Sequence, residues 1–190
     1  SEVHFKTFLL NQNEFTTEES ISKLEKAKSA LFIVDGTSTP IDWYIGSLYL
    51  KIDAVDLAIS KFETALKTNP YHIHILNSLG GSYLHKQEYN VAHNYFKKAV
   101  EIAPYYEDAL YNLSYTYYSL GDINNAIYTL EKIYTKEVSK FNDRVLMYAK
   151  FLVKVQLNSL DVRAVEFEIL QNILSNPEWL KSIVIKSYGN

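Results

Sequence analysis

The side chains able to do acid–base or metal chemistry are few and scattered in this 190-residue chain. Its histidines are His4, His72, His74, His85 and His93. His72 and His74 stand two apart, a spacing that sends helix side chains to different sides. No His-Glu-x-x-His pair is present, so a zinc hydrolase has no ligand set here. Zero cysteines remove disulfides, thiolate catalysis and thiolate zinc sites. Glu18–Glu19 and Glu166/Glu168 read as solvated helix faces. Gly80–Gly81 falls mid-helix rather than in a strand-to-helix loop, so it is no phosphate cradle. Asn112-Leu113-Ser114 spells a glycosylation acceptor but sits inside a packed helical pattern. The convergent polar set that catalysis requires is missing, and the chain is expected to be no enzyme, with no metal and no cofactor.

Binding chemistry is a different matter. Tyr111, Tyr115 and Tyr118 fall at i, i+4 and i+7, one stripe along one helix face. The core slots of that helix are already taken by Leu110, Leu113, Ser114 and Tyr117, so the stripe is expected to face a partner. Rigid amphipathic rings beside Asn77 and Asn112 suit an extended peptide, with apolar contact plus amide hydrogen bonds to its backbone. The same rings would suit stacking on sugars.

Composition bounds the partners. Hydrophobic content of 47% with 22% charged residues fits a soluble globular segment. The net charge of −3 and pI near 6.0 give no basic field for nucleic acid or anionic lipid. The longest apolar run, Ala30 to Val34, is far short of a membrane span, so no direct insertion is expected. Cysteine absence suits cytoplasm and periplasm equally and leaves the compartment open. The sequence opens at Ser1 and reads as a fragment, and its Asn-, Lys- and Tyr-rich usage suggests a bacterial, AT-rich genome.

The elements that must position these residues recur every 34 positions. Leu79, Gly80, Tyr83, Ala92, Phe96, Ala99 and Pro104 have counterparts in Ile45, Gly46, Tyr49, Ala58, Phe62, Ala65 and Pro70. The forward set is weaker: Leu113, Ser114, Tyr117, Ala126, Leu130, Ile133 and Val138. This signature resembles the tetratricopeptide repeat over residues 39–140. Repeat two fits it best, departing where Leu76 stands for tryptophan. The resemblance implies an all-α, right-handed α-solenoid of antiparallel helix pairs with capping helices at both ends. Repeats are expected over 39–72, 73–106 and 107–140. Their helices fall near 41–52 and 54–68, 73–86 and 89–102, and 107–120 and 123–136. Small residues Gly46, Gly80 and Ser114 are expected to face Ala58, Ala92 and Ala126 across each pair. Phe62 and Phe96 are expected to reach the next repeat. Pro70 and Pro104 end the second helices. Before the repeats, residues 1–38 form an N-terminal capping region. Its helix carries Ile21, Leu24, Ala27 and Leu31, with Thr16 and Glu19 as a capping box and Gly36 as a stop. Residues 141–190 are expected to hold a degenerate fourth helix pair and a closing helix at Trp179, Leu180, Ile183 and Val184.

In this family the first helices of each pair line a concave groove. The register then offers Trp43, Tyr44, Ser47, Leu50 and Lys51 from repeat one. Repeat two offers His74, Asn77, Ser78, Gly81, Leu84 and His85. Repeat three offers Asp108, Tyr111, Asn112, Tyr115, Tyr118 and Ser119. Chaperone-tail-binding members hold a peptide carboxylate with a clamp of two Lys, two Asn and one Arg. The matching positions here are Trp43, Ser47, Ser78, Asp108 and Asn112, none cationic, which argues against capture of an acidic tail. The leading expectation is a non-catalytic scaffold holding a protein or peptide in its groove. Trp43-Tyr44-Ile45-Gly46, Asn69-Pro70-Tyr71-His72 and Tyr111-Asn112-Leu113-Ser114 are also similar to the repeat tails of bacterial O-antigen ligase-type polysaccharide polymerases. That alternative makes the chain the soluble appendage of a membrane enzyme. A third makes it a self-assembly module; oligomeric state stays open.

Overall fold

A computed structural model of the chain describes residue 5, residues 15–28, 33–35 and 37–134. The fourth helix pair and closing helix expected over 141–190 lie outside these residues. The helices are α1 (Thr17–Ala27), α2 (Ile41–Lys51), α3 (Val55–Thr68), α4 (Ile73–His85), α5 (Tyr89–Ile102), α6 (Glu107–Ser119) and α7 (Ile123–Tyr134). The fold is all-α, built of repeated helix pairs, and the expected helix spans agree with these bounds to within three residues. Chain contacts divide it into two compact units, residues 1–103 and residues from 104 onward.

In the first unit, α1 begins at the expected capping box. Thr16 Oγ1 accepts from the Glu19 amide at 3.2 Å, and Glu19 Oε2 accepts from the Thr16 amide at 2.9 Å. The helix ends at Ala27, where Lys28 turns extended, earlier than a stop at Gly36. Leu31 and Gly36 lie outside the described residues. α1 packs on α2 through a core of Phe5, Leu24, Ala27, Ile41 and Ile45, so the first repeat's outer face is covered. A charge network reinforces this seam. The Asp42 carboxylate, 4% exposed, receives Lys28 Nζ at 2.7 Å and Lys61 Nζ at 3.8 Å, and Lys61 also pairs with Glu25.

Each pair closes on a glycine and a phenylalanine. Phe62 is fully buried among Ala58, Ala65, Ile75 and Leu79, so it does reach the next repeat's first helix. Its ring also covers Gly46 of its own pair: a Cβ there would lie 2.6 Å from Phe62 Cε1. Gly80 stands in the same relation to Phe96, at 2.5 Å. The two glycines therefore accommodate the rings. Repeat three, in the second unit, solves the contact differently. Leu130 replaces the ring, and Ser114 fits, its Oγ donating to the Ala126 carbonyl at 2.6 Å. Here the expected facing of Ser114 and Ala126 is what the structure shows.

The turns inside each pair share one backbone device. Asp53 (φ 59), Gln87 (φ 59) and Gly121 (φ 82), spaced by the repeat, all take the left-handed conformation. Only the third uses the residue type that adopts it freely.

Candidate partner-binding surface

Of the residues expected to line a groove, those of repeats one and two fall in the first unit and those of repeat three in the second. In the first, α2 and α4 are joined by the indole of Trp43, whose Nε1 donates to Ser78 Oγ at 2.9 Å. This bond fixes a large aromatic ring between the first helices of repeats one and two. The Trp43 ring stands 6.3 Å from the His74 ring and edge-on to Tyr44 at 5.0 Å. Ser47 turns its hydroxyl back to the Trp43 carbonyl at 2.9 Å. Asn77 is half-buried and His74 exposed. At Gly81 a Cβ would meet nothing within 4 Å among the described residues. Unlike Gly80 one position earlier, Gly81 is not required by packing. A mid-helix glycine costs about 0.5–1 kcal/mol relative to alanine. What its absence of side chain provides is bare helix backbone on this face.

Tyr44 is engaged from the N-terminal side. Its ring packs edge-on against Phe5 at 5.2 Å, and its hydroxyl donates to Asp35 Oδ2 at 2.6 Å. Burial, followed by the bond and charge of Asp35, pushes the Tyr44 phenol well above its ordinary range. Asp35 also accepts from Thr37 Oγ1 at 2.7 Å and from the Thr37 and Thr39 amides at 2.7 and 2.9 Å. Burial works against its ionised form, but these bonds prevail and its carboxyl lies below the ordinary carboxylate value. Sequence reasoning passed over Asp35, Thr39 and their contact with His72. The signal was the turn-forming Asp35-Gly36 dipeptide.

In the second unit, the core positions of α6 are Ala109, Leu110, Leu113, Ser114 and Thr116, all buried. Tyr115 is 37% exposed, and its ring lies 6.4 Å from that of Tyr118. Tyr111, Asn112 and Tyr118 are half-buried. Tyr115 is thus the most open ring of the stripe, while Tyr111 and Tyr118 share the half-buried state of Tyr117, a position expected in the core.

Among the described residues, no helix is long and apolar enough to cross a membrane. Nor do three or more His, Cys, Asp or Glu side chains gather as a metal site there.

Comparisons place this architecture. A tetratricopeptide repeat protein from Parabacteroides merdae superposes with a TM-score of 0.72 at 19% identity, over 91% of this chain and 64% of that one. MamA superposes at 0.67 with 14% identity, over 99% and 94%. The first tetratricopeptide domain of Spaghetti (RPAP3), solved bound to the HSP90 peptide SRMEEVD, superposes at 0.59 with 17% identity, over 66% and 98%. These likenesses carry the fold. No curated protein matches the chain. The matches support a tetratricopeptide protein and lend nothing to the polysaccharide polymerase tail. One family model, that of the ChAPs (Chs5p-Arf1p-binding proteins), covers residues 21–159, well over half of the sequence. This tetratricopeptide-repeat chain belongs to the ChAPs family.

Proposed function

We propose that the chain is a non-catalytic interaction scaffold that holds a protein partner against the first helices of its repeats. The partners we propose are Arf1p- and Chs5p-type proteins, the kind named in the family's description. The observation that carries the reading is the Trp43 ring, held by its bond to Ser78, with Gly81 three residues further along the same helix leaving space where a Cβ would stand. A tryptophan held in one orientation loses little freedom on binding, and such rings dominate interface energetics. Bare backbone at Gly81 admits the main chain of an extended segment. Tyr115 offers a second aromatic contact of the same kind. The positions of the carboxylate clamp, Trp43, Ser47, Ser78, Asp108 and Asn112, hold no cation. A partner surface that is neutral or mixed in charge therefore suits this face better than an acidic tail.

Titration calorimetry of the purified chain with purified Arf1p and Chs5p tests the reading. Saturable binding to at least one is expected, weakened more than about tenfold, or 1.4 kcal/mol, by Gly81→Leu at unchanged melting temperature. Heat from neither protein, or equal affinity of the variant, would refute it.

A further inference from the structure

The start of repeat two carries a polar arrangement that the scaffold role does not use. His72 precedes α4, and its Nε2 lies 3.1 Å from Thr39 Oγ1. Thr39 is buried, and its hydroxyl stands 3.0 Å from Thr37 Oγ1. Thr39 also interacts with the Tyr44 hydroxyl. The Asp35 end of this chain fixes the direction of its first two bonds. Asp35, as a carboxylate, only accepts. It takes the single hydroxyl hydrogen of Thr37 on Oδ1 and that of Tyr44 on Oδ2. Both hydroxyls therefore offer only lone pairs to Thr39. Given to either of them, the single Thr39 hydrogen leaves Thr39 Oγ1 as an acceptor toward His72. In that arrangement His72 carries its proton on Nε2, with a bare Nδ1.

That Nδ1 is buried, with no hydrogen-bond partner among the described residues. A second proton would have to go there. The residue's own carbonyl is the nearest compensation, but it already accepts from the Ile75 and Leu76 amides at 3.1 and 3.2 Å. The ring of His74 lies 5.6 Å away. Burial first, and His74 second, hold the His72 pKa below its ordinary value; Asp35 and the residue's own backbone oppose this without reversing it.

We propose that His72 and the turn residues Asp35, Thr37 and Thr39 form a proton-sensitive clasp. Neutral His72, as its Nε2–H tautomer, seats the turn on the start of α4, and protonation at Nδ1 releases it, together with the Tyr44 hydroxyl. The clasp stands independently of what the first helices bind. The facing groups are Asp35 and Thr39 from the turn, Tyr44 from α2 and His74 from α4. The folded pKa is depressed, so the unfolded chain binds more protons as pH falls below about 6.5. The clasp's contribution is fully present above that pH and is lost below it.

Nitrogen-15 NMR of the full chain labelled at histidine reads the tautomer directly. At neutral pH, His72 is expected to show a protonated Nε2 and an unprotonated Nδ1; a protonated Nδ1 overturns the proposal. Hydrogen exchange reads the release. On acidification from pH 7.5 to 5.5, protection of the Thr37 and Thr39 amides should fall severalfold in the natural chain. It should hold constant in His72→Gln, which keeps a donor for Thr39 but does not titrate. Equal loss in the two proteins overturns the proposal. Should His72→Gln fail to fold, Thr39→Val removes the acceptor instead. The preference of His72 for the Nε2–H tautomer should then fade in the NMR spectrum; an unchanged preference refutes the clasp.

Discussion

The pairing of Gly80 with Phe96 makes a quantitative demand. A methyl group at Gly80 would lie 2.5 Å from Phe96 Cε1, 2.7 Å from Cδ1 and 2.8 Å from Cζ. Ordinary carbon contacts are about 3.5–4.0 Å, so the ring must retreat by about 1 Å. Phe96 is fully buried, so its ring can move only against packed neighbours. Overpacking of this kind costs about 1–3 kcal/mol, and replacing a helix glycine by alanine returns about 0.8–1. Gly80→Ala is therefore expected to destabilise the chain by up to about 2 kcal/mol, against the helix-propensity trend. Phe96→Leu alone should cost about 1–2 kcal/mol by leaving a void. Together the two changes should cost less than their sum, because the new methyl enters the space the ring has left. Repeat three already combines a side chain at this position, Ser114, with leucine at the other, Leu130. Urea denaturation of the four proteins, followed by circular dichroism at constant slope, measures the coupling. A favourable interaction of at least about 1 kcal/mol is expected. Additivity within about 0.5 kcal/mol would refute the argument that ring and glycine define one another.

Other expectations follow from individual sites. Gln87 holds φ 59 without being glycine. Gln87→Gly removes a left-handed penalty of about 1–2 kcal/mol and adds about 0.5–1 of chain entropy, so the urea midpoint should rise. Lys28→Met leaves the buried Asp42 carboxylate with only the longer Lys61 contact, and a loss of about 1–3 kcal/mol is expected by thermal denaturation. The exposed pair of Lys86 and Asp56 is the control, and Lys86→Met should leave the midpoint where it was. Tyr115→Ala should weaken a bound partner by more than about 1 kcal/mol in calorimetry while leaving the melting temperature nearly unchanged. A large stability loss there would show that the ring belongs to the core.

Much of the fold was legible because packing repeats when sequence repeats. Helix starts at 41, 73, 89, 107 and 123 follow from the 34-residue register and the turn residues between them. The capping box at Thr16 and Glu19 is a local hydrogen-bond pattern and needs no tertiary knowledge. Relations set by side-chain direction across elements were not legible. The ring of Phe62 reaches Gly46 from 16 residues away, a consequence of rotamer and helix approach that residue type alone does not encode. The left-handed turns at Asp53 and Gln87 were hidden because only Gly121 announces such a conformation in sequence. Tyr44 was assigned to the groove from its register, whereas Phe5 and Asp35 engage it, both lying outside the repeats that gave the register.

The same contrast explains why partner identity resists a reading from periodicity. Ile45, Leu79 and Leu113 occupy one register position, are alike in chemistry and are all buried, because each must fill the same space between two helices. Ser47, Gly81 and Tyr115 also occupy one register position and share no chemistry at all. Among the described residues, Ser47 bonds its own helix, a Cβ at Gly81 would meet nothing within 4 Å, and Tyr115 is partly exposed with its ring near Tyr118. A position that tolerates a hydroxyl, a bare backbone and a phenol is not governed by the fold. Under the proposed scaffold role, such positions are where a partner would be selected, and each unit would present its own chemistry there: Ser47 and Gly81 in the first, Tyr115 in the second. Exchanging Gly81 and Tyr115 in one protein would keep both residue types and the fold while reversing their order. Binding that survived the exchange would mean that composition alone, and not arrangement, selects the partner.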